Sequence, residues 1–190
     1  MADSPKALAY VSLGSNLGDR AGNLLLGIRG MMVAGLPVTR LSSIYESEPV
    51  ETFAQPDFLN MVAELGGALP EPNQMMARLL RVEYLLGRTR EVARGPRVID
   101  LDLLLFGNHT STTELLTLPH PRMHLRRFVL RPLAELAPSV IHPTLQQTIA
   151  TLLENLDDQS QVKRWRAIAE GKTRGKSIGE TQRRGDGEKG

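Results

Sequence analysis

Four arginines and two aspartates stand close together between residues 88 and 102 and suit the binding of a phosphorylated substrate. The arginines occur within ten residues, at Arg88, Arg90, Arg94 and Arg97. Each guanidinium can hold phosphate oxygens through two hydrogen bonds. Asp100 and Asp102 follow, and carboxylates are ligands of the hard divalent cations that accompany polyphosphates. The combination predicts a phosphotransfer site that uses a nucleotide.

The two aspartates lie in the clearest strand pattern of the chain, residues 98–106. Because residues two apart on a strand face the same side, Asp100 and Asp102 are expected to project together. The opposite face would carry Ile99, Leu101, Leu103 and Leu105. Taken alone, such a pair also fits an exposed, ion-paired strand, and the arginine run also fits a solvated loop. Gly95-Pro96 favours a loop that closes over a polyphosphate.

Further candidates for the site lie elsewhere in the chain. His120 stands between two prolines and precedes Arg126, so both could meet the same phosphates, although a rigid turn with an exposed histidine is the alternative. Phe58 and Asn60 share one strand face, an arrangement that suits a flat heterocycle with polar edges. On composition alone, Phe58 and Phe128 fit a hydrophobic core better than a surface that binds a ligand. Glu83 falls on the apolar side of a helix and needs a partner, for which Arg97 and Arg88 are candidates.

The elements that must position these residues follow a regular order. Strand patterns cover residues 8–13, 38–45, 58–65 and 98–106, and helix patterns cover 24–32 and 71–88. The order strand, helix, strand, strand, helix, strand predicts an α+β fold, a ferredoxin-like βαββαβ sheet with helices packed on one face. A C-terminal extension would add a strand at 114–118 beside 98–106, a helix at 123–136 divided or kinked at Pro132, and a helix at 145–156.

Length and charge predict one catalytic domain over residues 1–163 and a basic, disordered tail over 164–190. Residues 161–190 hold nine Lys/Arg and four Asp/Glu, whereas residues 1–160 hold 14 and 17. The basicity therefore belongs to the tail. The chain has no cysteine, so oxygen or imidazole must hold any metal, which favours Mg²⁺. With no membrane-spanning run and no signal peptide, we expect a cytoplasmic protein.

Four segments, taken in order, closely resemble the 6-hydroxymethyl-7,8-dihydropterin pyrophosphokinases of folate biosynthesis. They are Leu13-Gly14-Ser15-Asn16-Leu17-Gly18-Asp19-Arg20, Gln55-Pro56-Asp57-Phe58-Leu59-Asn60, Gly95-Pro96-Arg97-Val98-Ile99-Asp100-Leu101-Asp102 and Leu118-Pro119-His120-Pro121-Arg122-Met123. The resemblance runs from about residue 7 to residue 156. It implies an ATP-dependent diphosphokinase that transfers pyrophosphate from ATP to the pterin hydroxymethyl group and leaves AMP.

The resemblance also implies roles for individual residues. Asp100 and Asp102 would hold two Mg²⁺ ions, and with Arg88 and Arg97 they would form the catalytic set. The ATP-binding residues would be Arg88, Arg90, Arg94, Arg97, His120 and Arg126. The pterin would stack between Phe58 and Phe128, with Asn60 and the backbone around Ser47 and Val50 at its polar edge. We expect a monomer that binds these two small molecules and neither nucleic acid nor membrane.

Two other functions fit parts of the sequence. A ferredoxin-like RNA binder with a basic tail would share the topology, but Asp100 and Asp102 would repel phosphates without a metal. A related phosphotransferase that acts on another planar alcohol would share the whole phosphate site. Product analysis separates the two phosphotransferases, and the salt dependence of RNA binding tests the RNA binder.

Overall fold

An antiparallel sheet with helices on both faces forms the protein, in a computed structural model that describes residues 7–49, 55–87 and 95–166. The strands are β1 (Ala9–Ser15), β2 (Val38–Leu41), β3 (Tyr45–Ser47), β4 (Phe58–Leu65), β5 (Asp100–Phe106), β6 (Ser111–Thr112), β7 (Thr117–Leu118) and β8 (Val162–Arg164). The α-helices are α1 (Arg20–Val33), α2 (Pro72–Leu85), α3 (Arg127–Leu136) and α4 (Ile149–Glu154). No helix in these ranges is long and apolar enough to cross a membrane.

The order of strands in the main sheet confirms the predicted topology. The order is β5-β1-β4-β3-β8, and β2 also pairs with β4. Each of these pairings is antiparallel. With β2 and β3 taken as two parts of one interrupted strand, β1 to β5 with α1 and α2 form the ferredoxin-like βαββαβ sheet.

The hydrophobic alternation of β1 determines which helices cover each face. Val11 and Leu13 pack in a core with Leu24 of α1 and Leu79 of α2, so these two helices share one face as predicted. Gly30 lets them approach each other closely, because a Cβ at this position would lie 2.6 Å from Cγ1 of Val82.

The C-terminal extension covers part of the opposite face. Tyr10 of β1 and Val62 of β4 pack there against Leu130 and Leu133 of α3 and Ile149 of α4. The prediction of helices on one face therefore holds for α1 and α2, while α3 and α4 form a second layer. Towards the start of β5 this second face carries polar side chains and forms a cleft.

A β-bulge in β5 makes one expectation from the alternation wrong. Leu101 and Leu103 pack on the α1 side as predicted, but Leu105 packs in the cluster under α3. The register with β1 shifts at this point, since Val11 pairs with Leu103 and Tyr10 with Leu105. The extra residue, Leu104, changes the side to which Leu105 points.

The second strand pattern is interrupted, so the strand predicted over 38–45 is two shorter strands. Between β2 and β3, Ser42 still bonds to β4, since its N–H donates to the Val62 carbonyl and its Oγ accepts from the Val62 N–H, both at 2.9 Å. Pairing with β4 therefore resumes at Tyr45, which lies opposite Asn60.

Other expectations for the C-terminal extension also need correction. The strand at 114–118 is wrong, because β7 pairs with β6 in a separate two-stranded sheet. The predicted helix over 123–136 is divided at Arg126, between a 3-10 helix (Met123–Leu125) and α3, and Pro132 lies within α3. The fourth helix is confined to Ile149–Glu154.

The sheet also includes the last described residues. β8 pairs with β3, and the N–H of Trp165 donates to the Ile44 carbonyl at 2.9 Å. Trp165 packs against the core on the α1 side. Arg164 and Trp165, the first two residues of the predicted 164–190 tail, thus bind to the sheet, whereas residues 167–190 lie outside the described residues.

A buried carboxylate connects the sheet to the end of α3. The carboxylate of Glu64 accepts hydrogen bonds from Tyr10 Oη at 3.3 Å, Thr39 Oγ1 at 3.0 Å and Arg40 Nε at 2.9 Å. Arg40 also donates to the carbonyl of Leu136 at 2.8 Å. The hydrogen bond from Arg40 lowers the pKa of Glu64, and burial, with the Glu64 charge, raises the pKa of Tyr10 to about 12.

We predict that Glu64→Gln lowers the free energy of unfolding at pH 7 by about 1–3 kcal/mol, because a buried, charge-assisted network loses its anion. The folded pKa of Glu64 lies below its unfolded value, so its contribution is present above the unfolded pKa and is lost as pH falls through the folded pKa. Denaturant unfolding from pH 7 to about pH 3 should show the difference from wild type shrinking. Glu114→Gln, at an exposed position, is the control. A difference independent of pH would contradict the prediction.

Candidate active site

A cleft of about 510 Å³ opens on the face of the sheet that α3 partly covers. Its lining brings together many residues that the sequence analysis selected: Ser47, Phe58, Asn60, Arg97, Asp100, Asp102, His120, Arg126 and Phe128. Four other selected residues, Val50, Arg88, Arg90 and Arg94, lie outside the described residues.

The floor of the cleft is the point where β1 lies between β4 and β5. Gly14 is in register with Asn60 on one side and Asp100 on the other. A Cβ at Gly14 would lie 3.3 Å from Oδ1 of Asn60, which is tight. The missing side chain keeps the floor open between an amide and a carboxylate.

The two aspartates project from β5 into the cleft, as the alternation predicts. Asp102 is in register with Ser12, and the side chains of Asp100 and Asp102 are 20% and 35% exposed. Nη1 of Arg97 lies 2.5 Å from Oδ2 of Asp100. This ion pair offsets part of the repulsion between two neighbouring carboxylates.

The donor set at this point fits a metal ion that arrives with its substrate. Within residues 7–49, 55–87 and 95–166, no group of three or more histidine, aspartate or glutamate side chains could hold an ion by itself. Mg²⁺ commonly uses one or two carboxylates, with phosphate oxygens and water as its other ligands. Asp100 and Asp102 can supply the protein's share of such a coordination shell.

Arg97 is held in place by the buried side chain of Asn16. The Arg97 N–H donates to Oδ1 of Asn16 at 2.8 Å, and the Asn16 N–H donates to the Arg97 carbonyl at 3.2 Å. Nδ2 of Asn16 lies 3.2 Å from Oε1 of Gln55 and 3.3 Å from the Pro56 carbonyl. One amide thus joins the end of β1 to the segments that precede β4 and β5.

His120 enters the cleft as a neutral imidazole. Burial, together with the positive charges of Arg126 and Arg122, lowers the pKa of His120 to about 4. Its Nε2 lies 3.9 Å from Oδ2 of Asp102, which is too long for a hydrogen bond and, for a neutral ring, not an ion pair. Nδ1 accepts from the Arg122 N–H at 3.3 Å, so the ring proton belongs on Nε2. The backbone N–H of His120 donates to the Leu104 carbonyl at 2.9 Å.

Two guanidiniums lie close to the aromatic side chains of the cleft. The guanidinium carbon of Arg126 is 5.5 Å from the ring centroid of Phe128, and that of Arg97 is 6.0 Å from the centroid of Phe58. Burial and the nearby charge of Arg122 lower the pKa of Arg126. Guanidiniums in a cleft that also carries carboxylates suit an anionic ligand that brings a cation with it.

The part of the cleft that Phe58, Asn60 and Phe128 line suits a flat molecule with polar edges. Phe58 and Phe128 both line it but make no ring-to-ring contact in the part of the chain that the structure describes. The same lining includes the buried side chain of Asn60, which donates from Nδ2 to Oγ of Ser47 at 2.9 Å. This bond orients the Asn60 carbonyl oxygen, so the cleft is lined by one fixed amide as well as two aromatic side chains.

Glu83 has a structural partner other than those expected. Its buried Oε1 accepts from the N–H of Leu101 at 2.7 Å, which ties α2 to β5 between the two aspartates. Arg97 pairs with Asp100 instead. The other expected partner, Arg88, is outside the described ranges.

Comparison with known proteins agrees with this arrangement. The profile of the family described as 7,8-dihydro-6-hydroxymethylpterin-pyrophosphokinase matches residues 10–138. The chain belongs to this pyrophosphokinase family. A Bacillus subtilis 2-amino-4-hydroxy-6-hydroxymethyldihydropteridine pyrophosphokinase is 43% identical over 160 residues, which cover 84% of this chain and 90% of the relative.

Several relatives of the pyrophosphokinase family are much longer than this chain. The folic acid synthesis protein fol1 of Pneumocystis carinii is 39% identical over 149 residues, 78% of this chain and 20% of that protein. A Plasmodium falciparum HPPK-DHPS structure has a TM-score of 0.63 at 15% identity, over 81% of this chain and 45% of that one. The chain thus spans about a fifth of the Pneumocystis protein and less than half of the Plasmodium chain. At 15% identity, the structural likeness shows a shared fold.

The pyrophosphokinase cleft also contains residues that the sequence analysis did not select. Ser12, Gln55 and Arg122 line it, and Asn16 supports it from below. Ser12 and Asn16 lie two residues on either side of Gly14, so strand alternation was the available signal. Arg122 stands two residues after His120. Its place in the cleft depends on the backbone turn in which the Arg122 N–H donates to Nδ1 of His120, and the sequence pattern does not predict this turn.

Asn16→Ala should lower the free energy of unfolding by about 1–3 kcal/mol, because it leaves the Arg97 N–H and the Pro56 carbonyl without a buried partner. It should also loosen Arg97, so nucleotide binding should weaken. Chemical denaturation and calorimetric titration with nucleotide plus Mg²⁺ measure the two effects. Asn108→Ala, at an exposed turn, is the control. Wild-type stability in the Asn16 variant would be inconsistent with the bonding described.

Proposed function

We propose that this protein transfers the pyrophosphoryl group of ATP to the hydroxymethyl oxygen of 6-hydroxymethyl-7,8-dihydropterin and releases AMP. The observation that carries the proposal is a single cleft in which an aromatic and amide surface lies beside paired carboxylates and guanidiniums. Membership of the pyrophosphokinase family supports the same conclusion.

The pterin binds at the aromatic part of the cleft in this proposal. Its ring stacks between Phe58 and Phe128, and the carbonyl of Asn60 accepts from the donor edge of the heterocycle. Ser47, which holds Asn60 in this orientation, contributes to the same edge. Val50 is proposed to complete the edge and lies outside the described residues.

Asp100 and Asp102 are proposed to hold two Mg²⁺ ions. When bound, the ions would neutralise phosphate charge and align the acceptor hydroxyl. The short distance between Arg97 and Asp100 supports a site in which one guanidinium contacts both a carboxylate and a phosphate.

Arg97, Arg126 and His120 bind the phosphates of ATP in this proposal. The guanidiniums stabilise charge on the transferred group, and Nε2–H of His120 donates a hydrogen bond without adding charge at neutral pH. Arg88, Arg90 and Arg94 are proposed to act on the same group, with Arg88 and Arg97 as catalytic residues. The first three lie outside the described residues.

The reaction is a displacement at the β-phosphorus. The hydroxymethyl oxygen forms a bond to this phosphorus, the bond from the phosphorus to the oxygen that bridges the α-phosphate breaks, and the hydroxyl proton is released. The cleft contributes by holding the two substrates side by side and by stabilising charge.

The proposal includes a monomer in the cytoplasm that binds neither nucleic acid nor membrane. The acidic balance of residues 1–160 argues against an RNA-binding sheet. The cytoplasm supplies both ATP and Mg²⁺. Sedimentation at several protein concentrations tests the monomeric state.

Incubation with ATP, Mg²⁺ and the hydroxymethyldihydropterin, followed by separation of nucleotides, tests the activity. AMP that forms only with the pterin supports the proposal. 6-Methyl-7,8-dihydropterin, which lacks the acceptor oxygen, is the control and should give no AMP. Formation of ADP, or no reaction with this pterin, would contradict the proposal.

Asp100→Ala and Asp102→Ala should each reduce turnover by about 10²–10³-fold while the fold persists, because the lost interaction is with substrate-bound metal. Steady-state kinetics and circular dichroism measure the two properties. Asp157→Ala, at an exposed position, should retain wild-type turnover. Near-normal activity of either cleft variant would remove the metal assignment.

A further inference from the structure

Glu135, near the end of α3, accepts hydrogen bonds from Ser43, which lies between β2 and β3, and from Tyr45, the first residue of β3. The carboxylate of Glu135 accepts from the Ser43 N–H at 3.1 Å and from Ser43 Oγ at 2.8 Å. It also accepts from Tyr45 Oη at 2.9 Å. One side chain of α3 therefore satisfies donors on both sides of Ile44, where the strand is broken. Residues 43 and 135 are 92 positions apart, so this is a tertiary contact.

The bond to Tyr45 lies next to the pterin part of the cleft. Tyr45 is buried and pairs directly with Asn60, and Ser47 pairs with Phe58. Residues that pair across an antiparallel ladder lie on the same face of a sheet. Glu135 thus fixes the start of the short strand whose end presents Ser47 to Asn60.

The same helix carries the opposite aromatic wall of the cleft. Phe128 precedes Glu135 by seven residues, or about two helical turns, so both project from one stripe of α3. The start of this helix is held separately, because the Arg127 N–H donates to Oδ2 of Asp158 at 2.8 Å. Glu135 is a second attachment, and it joins α3 to β3.

The surroundings of Glu135 favour its role as an acceptor. Its hydrogen bonds from Ser43 and Tyr45 and the positive charge of Arg164 lower the pKa of Glu135 against the opposing effect of burial. Burial, with the hydrogen bond to Glu135, raises the pKa of Tyr45, so the hydroxyl keeps the proton that it donates.

We propose that Glu135 is a positioning residue of the pyrophosphokinase, which sets the distance between the Ser47 and Asn60 edge and the Phe128 wall without touching substrate. The inference rests on the proposed function, because it assigns the pterin to this part of the cleft. Its effect falls on pterin binding, because Arg126, the phosphate-binding residue at the start of α3, lies beside the separate attachment of Arg127 to Asp158. The phosphate-binding residues Arg97, Asp100 and His120 are held by other contacts.

The test compares steady-state kinetics for three variants with wild type. Glu135→Ala should raise the KM for the pterin about five- to ten-fold, with the KM for ATP and kcat within about twofold. Glu135→Gln should recover most of the loss, because its carbonyl can accept from Ser43 and its amide can donate to the Tyr45 oxygen. Tyr45→Phe should give a smaller rise, and combined with Glu135→Ala it should add little further.

Two controls separate positioning from a general loss of stability. Glu154→Ala removes an exposed carboxylate at the end of α4 and should leave both KM values unchanged. Ile28→Val loosens the core on the other face of the sheet and should lower the thermal midpoint without changing the KM for the pterin.

The outcomes distinguish this inference from the proposed function. If wild type forms no AMP with the pterin, the proposed function fails, and the inference fails with it. If wild type is active but Glu135→Ala changes both KM values equally or neither, the inference alone is overturned. A rise in the KM for the pterin in Ile28→Val that matches that of Glu135→Ala would also overturn it.

Discussion

The pairing of β1 with β4 on one side and β5 on the other is the constraint on which the site depends. It places Asn60, Gly14 and Asp100 in one row across three strands. A slip of one residue in either ladder would turn the polar side chains of that strand into the core beneath α1 and α2. The buried leucines on that face fix the register, so the hydrophobic core specifies how an amide and a pair of carboxylates come to lie side by side.

Electrostatic balance within the cleft follows from this arrangement. Asp100 and Asp102 are tolerated together because Arg97 pairs with one of them and both keep contact with water. His120 avoids adding to the positive charge by remaining neutral, as burial and the neighbouring guanidiniums dictate. The polar groups therefore form a gradient, from an uncharged amide and aromatic surface to a strongly charged one. A substrate pair with one neutral ring and one polyphosphate matches this gradient.

Local patterns in the sequence predicted the strands and helices that have strong hydrophobic periodicity. The features that were not predicted depend on contacts between residues far apart in the chain. Strand alternation was enough to place Asp100 and Asp102 on one face, and the order of elements was enough for the fold. The interruption after Leu41 could not be predicted, because its stabilising acceptor, Glu135, comes from a distant helix. The support given by Asn16 likewise depends on Gln55, Pro56 and Arg97 meeting around one amide. The predicted pairing of residues 114–118 with β5 was wrong, because β7 pairs with the two-residue strand β6, which lies nearer to it in the chain.

The bulge at Leu104 divides β5 into two parts that present different kinds of side chain to the same side of the sheet. Before the bulge, the alternation presents carboxylates to the cleft, and after it the same side presents leucine to the underside of α3. The bulged residue itself anchors the turn that follows, since its carbonyl receives the backbone N–H of His120. Leu104, the additional residue, therefore connects the part of β5 that carries Asp100 and Asp102 to the backbone of His120. The imidazole of the cleft is thus positioned by an irregularity of the backbone, because the carbonyl that binds His120 belongs to the bulged residue.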